Sequence, residues 1–233
     1  MAYCENLCLE MPASFPCSEY TLWRSTASPI VAAAPPGDPA CESLAASNLT
    51  AWRFREACEA WARIKRLVHD KPNGGSHEDQ YQMDSDMFTM LTAMISCIES
   101  TLYSISAVGS LPTVVGYLFD HKAQKKGSDA SWLLGMVAGN SKAAMLANEL
   151  TSLAGSAQWT FLLDLRNRVS HRSNLSRVGF ATVGGVLPAP VPFHYAATTN
   201  TPEIRKTVPD FESYHTWFAD TVRRLIVGAH ALL

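Results

Sequence analysis

Residues 87–108 read MFTMLTAMISCIESTLYSISAV, and the fold turns on what this stretch becomes. Wound at 3.6 residues per turn, its apolar side chains cover most sides, and Glu99 is its single charged residue. A surface helix keeps a broad polar face; a helix without one belongs at the centre of a bundle. Asp84 or Asp86 suits its N-terminus, where a carboxylate complements the helix dipole, and Gly109 and Pro112 stop it.

The flanking sequence supplies helices to surround it. Ser47 or Asn48 caps a helix from about residue 49 to 68, with Leu49, Trp52, Ala60, Ile64, Leu67 and Val68 recurring at helical intervals; KPNGGS ends it. After the central helix come the short apolar TVVGYLF and the polar DHKAQKKGSDAS. A short helix in SWLLGMVAG follows, then a helix in KAAMLANELTSL begun at Ser141, and a further one from Gln158 to about Arg172. Phe211 to Leu232 closes the chain as an amphipathic helix along Phe211, Tyr214, Phe218, Val222, Leu225 and Ile226. Residues 176–209 alternate β-branched residues with glycine and proline and read as a long loop or a small β-hairpin. In residues 1–46 prolines recur at 12, 16, 29, 35, 36 and 39, which predicts an irregular arm. The expected architecture is all-α: an up-and-down helical bundle over residues 47–233, preceded by the proline-rich arm of residues 1–46.

Composition narrows the function. Of 233 residues 47% are hydrophobic and 17% charged, the balance of a folded domain with a sizeable core. Nineteen basic against twenty-one acidic residues exclude a whole-surface grip on nucleic acid, so any anion site is local. The six cysteines are loosely spaced, and Cys58 and Cys97 fall in helical patterns, which predicts buried thiols rather than disulfides or a zinc site. MAYCENLCLEMP lacks the basic start and apolar core of a signal peptide, and no uninterrupted apolar run reaches membrane length. The expectation is a cytoplasmic protein without a membrane segment.

The chemistry concentrates in residues 162–175, LLDLRNRVSHRSNL. On a helix, Leu162, Leu165 and Val169 face the core while Asn167 and His171, four apart, share the opposite side; Arg166 rides the flank. Arg166, Arg168, Arg172 and Arg177 are offset nearby only by Asp164. One reading is a solvated helix face whose terminal arginine complements the dipole; the other is a phosphate site.

RNRVSH, residues 166–171, resembles the Arg-polar-x-x-x-His signature of the HEPN superfamily of helical domains, with Arg166, Asn167 and His171 in the motif positions. CIESTLYSIS resembles the long helices of such domains, and the likeness extends over residues 49–232. It implies a metal-independent endoribonuclease that needs no cofactor and forms its site from two motif copies in a homodimer. His171 would be general acid or base, Arg166 the phosphate clamp and Asn167 an orienting group, with Arg168 and Arg172 adding affinity for the substrate backbone. The resemblance also implies RNA or a nucleotide as ligand, and an antitoxin or a nucleotidyltransferase as partner. The side chains suit that chemistry: imidazole titrates near neutral pH, and a guanidinium fork matches phosphate oxygens.

Two alternatives stand beside this reading. The same face suits a non-catalytic module that binds RNA, a nucleotide or an acidic protein. The segment HEDQYQMDSD offers His77, Glu78, Asp79, Asp84 and Asp86 for a metal, but contains no Glu-x-x-His and reads more simply as an acidic helix entry. Glu99 is a lesser candidate for the wall facing the motif. The remaining histidines lack a sequence-adjacent catalytic partner, and no serine elbow, phosphate-binding glycine loop or dinucleotide fingerprint is present.

Overall fold

The computed structural model describes residues 1–71, 75–171, 193–195 and 202–233. Its elements in chain order are β1 (Ala2–Cys4), β2 (Leu9–Met11), α1 (Cys17–Ala32), α2 (Ser43–Asp70), α3 (His77–Gly109) and α4 (His121–Gln124). They continue with α5 (Ala130–Val137), α6 (Ala144–Ala154), α7 (Ala157–His171), β3 (Phe193–Tyr195), β4 (Ile204–Lys206) and α8 (Val208–Leu232). The fold is an all-α bundle carrying a small two-stranded element before the last helix.

The central helix starts seven residues earlier than Asp84, at His77. Ser76 and Asp79 explain the difference, because they form a capping box: the Ser76 hydroxyl accepts from the Asp79 N–H, and the Asp79 carboxylate from the Ser76 N–H. The acidic segment is therefore the first turns of α3. Asp86 is buried there and pairs at 2.8 Å with Arg63 of α2. From Met87 to Gly109 most positions of α3 are buried. By length and composition alone α3 could cross a membrane, but 78% of its most apolar window is buried within the bundle.

α2 lies antiparallel along α3, and small or hydroxylated residues let the two backbones approach. Cys97 Sγ donates to the Thr50 carbonyl at 3.2 Å, Ser104 Oγ to the Ser43 carbonyl at 2.6 Å, and Thr101 Oγ1 meets Thr50 Oγ1 at 3.2 Å. α2 begins at Ser43, so the expected boundary between residues 46 and 47 falls inside it. Asp38 caps a 3₁₀ turn, Pro39–Glu42, that leads directly into the helix. Ser47 and Asn48 are interior: the Ser47 hydroxyl donates to the Leu44 carbonyl, and Asn48 accepts from Arg24.

The N-terminal arm is not irregular throughout. Residues 17–32 form α1, which buries Tyr20, Trp23, Ala27 and Val31 against α2 and α8. The prolines bracket rather than break it: Pro16 precedes the first turn, Pro29 sits in the last, and Pro35, Pro36 and Pro39 follow the helix. The hairpin β1–β2, in register Ala2↔Met11, folds back ahead of it, and Phe15, Phe54 and Phe218 join arm, α2 and α8 through ring contacts of 5.1 and 4.9 Å.

Behind α3, α6 packs on α8 at Gly228, where an added Cβ would meet the Leu146 backbone at 2.9 Å. Gly228→Val is accordingly expected to lower stability by about 1–3 kcal/mol through overpacking in urea denaturation. The reverse substitution at Gly135, where an added Cβ meets nothing within 4 Å, should be neutral or stabilising as Gly135→Ala.

Candidate functional site

Ser156 opens α7 by accepting from the Trp159 N–H at 3.2 Å. Leu162 and Leu165 are fully buried and hold the helix against the core, so Asn167 points to solvent. At the start of α7, Phe161 stacks on Tyr214 of α8 at 4.9 Å. Lys206 of β4 lies over both rings, at 5.1 and 5.5 Å, and Phe193 of β3 meets Phe211 edge-on at 4.8 Å. The β3–β4 ladder thus fastens α7 to α8.

The motif residues fall out as follows. Arg166 is half-buried on the flank of α7 that faces α3, and Asn167 is exposed. His171 is the last helical residue; its side chain, like the whole of Arg172 and Arg177, lies outside the described residues. Arg168, expected on the substrate, is engaged within the chain. It pairs at 2.7 Å with Asp164 one turn back, donates to the Pro202 carbonyl at 3.1 Å, and is only 11% exposed. Asp164 is therefore a partner for Arg168.

Glu99, three turns from the end of α3, is the residue that tertiary structure adds to this neighbourhood. Burial pushes its carboxyl above the ordinary value, and the nearby Arg166 guanidinium opposes that rise. The basic character expected around the motif is consequently reduced: Arg168 is balanced by Asp164, and Arg166 faces a carboxylate from another helix. On its other side Glu99 opens onto a groove of about 480 Å³ between α2 and α3.

A second cluster has no local signature in the sequence. Cys58 of α2 and His215 of α8, 157 positions apart, meet at 3.2 Å between Sγ and Nε2. Burial raises the Cys58 thiol to about 11, opposed by its hydrogen bond with Ser14, so it stays protonated at neutral pH. Burial also lowers the His215 imidazole below 6.5, against the pull of Glu212 and with help from Lys65. The pair is thus a neutral thiol beside a neutral ring, a packing contact and not a thiolate nucleophile.

This gives a pH prediction. A histidine whose folded pKa is depressed contributes stability that is complete above its unfolded value of about 6.5 and is lost as the pH falls towards the folded value. The melting temperature should drop between pH 7.5 and 5.5, and His215→Leu should remove part of that drop. An identical pH dependence in the variant would show that His215 is not responsible.

Among the described residues, no three His, Cys, Asp or Glu side chains gather as a metal site. Comparison with protein-family models, with curated proteins and with solved structures finds no match for this chain.

Proposed function

We propose that the protein is a metal-independent endoribonuclease of the HEPN type, which cleaves RNA through the 2′-hydroxyl at a composite site formed by two copies of RNRVSH in a cytoplasmic homodimer. The observation that carries this reading is a single one: Asn167 and Arg166 occupy the outer and flanking sides, respectively, of a helix that ends at His171 and is anchored by Leu162 and Leu165. Such a helix can present a guanidinium and an imidazole towards a second copy without disturbing its own core.

In this mechanism one His171 accepts the 2′-hydroxyl proton as the 2′-oxygen–phosphorus bond forms. The bond to the 5′-oxygen breaks, and the second His171 returns a proton to that leaving oxygen. Arg166 stabilises the charge that develops on the non-bridging oxygens. One motif supplies one histidine, which is why two copies are required. Asn167 orients the imidazole or the phosphate; Arg172 adds affinity, and Arg168 does so only by exchanging Asp164 for phosphate.

The test is cleavage of single-stranded and structured RNA in EDTA by the purified protein, His171→Ala and Arg166→Ala. Cleavage by the parent and not by the variants is expected; equal cleavage by all three removes these residues from the mechanism.

The position of Glu99 near Arg166 favours one second reading, in which the same face binds RNA or a nucleotide without turnover. Binding that is lost in Arg166→Ala, with no product formed by any protein, is the result that selects it. An antitoxin or nucleotidyltransferase partner fits either reading.

A further inference from the structure

The groove beside Glu99 is shaped by what its walls lack. α2 contributes Ala45 and α3 contributes Ser96 and Ser100, and these small side chains leave an open hollow of about 480 Å³ where two packed helices usually show ridges. That volume lies in the range of roughly 300–1,000 Å³ common for small-ligand sites. At one end Tyr103 donates its phenolic proton to the Glu42 carboxylate at 2.5 Å, while its ring rests against Phe119 at 5.7 Å. The ring is held at its hydroxyl by Glu42 and on one side by Phe119, and Glu42 already has a donor.

Glu99 differs. Its carboxylate is half-buried and reads as desolvated, and no hydrogen-bond donor among the described residues is bound to it. A half-buried carboxylate with unused acceptor capacity accommodates paired N–H donors. Because the groove is open, a ligand can bring them.

We infer that this groove is a nucleobase pocket selective for guanine, with Glu99 as its acceptor and the Tyr103 ring as its stacking wall. Guanine alone among the RNA bases presents two adjacent donors, N1–H and the N2 amino group, that match the two oxygens of one carboxylate. Adenine and cytosine set a ring acceptor beside their amino group, and uracil sets its single N–H between two carbonyls, so each meets the carboxylate with a lone pair. Stacking on an aromatic ring is available to every base and supplies affinity without choosing among them. The pocket stands on the groove itself and not on the reading of Arg166 as a phosphate clamp.

The test is calorimetric titration of the full chain with guanosine, adenosine, cytidine, uridine, guanosine monophosphate and inorganic phosphate, with thermal melts to confirm that each variant folds. Guanosine should bind at least about tenfold more tightly than the other nucleosides, and Glu99→Gln should weaken it by about ten- to a hundredfold while leaving phosphate binding unchanged. Ala45→Trp, placed on the exposed wall of the groove, should block guanosine without touching Glu99. Equal binding of all four nucleosides, or guanosine binding indifferent to both Glu99→Gln and Ala45→Trp, overturns the pocket even if Arg166 proves to hold phosphate.

Discussion

Alanine at His171 is expected to slow RNA cleavage by about 10²–10⁴-fold with little change in RNA affinity, the range usual for losing a general acid or base. Arg166→Ala should lower the rate constant by about 10²–10³-fold, as removal of one donor from a developing oxyanion does, and should weaken binding as well. The two effects separate kinetically because the imidazole acts on protons in flight while the guanidinium also holds the ground-state phosphate. A composite site makes a stronger demand. When His171→Ala is added to the parent protein under conditions of subunit exchange, activity should fall with the square of the parent fraction, because only parent–parent pairs retain both histidines. A linear fall would mean that each copy works alone. The pH–rate profile should be bell-shaped, its two limbs belonging to the histidine pair together and not to one subunit's residue.

The largest loss of stability is expected from Phe54→Ala, at about 3–5 kcal/mol. Phe54 is fully buried in α2, stacks on Phe218 of α8 at 4.9 Å and meets Phe15 of the arm edge-on at 5.1 Å. Removing the ring deletes the contact common to three segments and leaves a cavity that none of them can close alone. Since single domains are stable by only about 5–15 kcal/mol, urea denaturation should show a large fall in midpoint. Phe88→Ala on α3, where the ring is 41% exposed, is the matched comparison and should lose much less. A loss below about 1 kcal/mol for Phe54→Ala would mean that the arm is not packed on the bundle through these rings.

The helices of the bundle were legible because burial repeats with the helical period. Met87 to Val108 announced a central helix, and the spacing of Leu162 and Leu165 oriented α7 correctly, with Asn167 outward. The arm was misread because prolines were counted and not placed: at the first turn, in the last turn and beyond the end they bracket α1 without interrupting its middle. The start of α3 was misread because Asp84 and Asp86 are as acidic as Asp79, and only the Ser76 hydroxyl three residues before Asp79 distinguishes the true cap. Electrostatics around the motif was misjudged for a different reason. Charges summed along a local window omit Glu99, which α3 delivers to Arg166 from 67 positions away, and miss that Arg168 turns back to Asp164.

The sequence by itself determined the helical class, the central helix and the outward face of the helix that carries RNRVSH, since each follows from apolar periodicity along a continuous segment. Tertiary structure alone decided what stands beside that face. The Glu99–Arg166 approach, the groove between α2 and α3, and the contact of Cys58 with His215 all arise from helix packing. Packing joins residues by distance in space, which a periodicity along the chain does not encode.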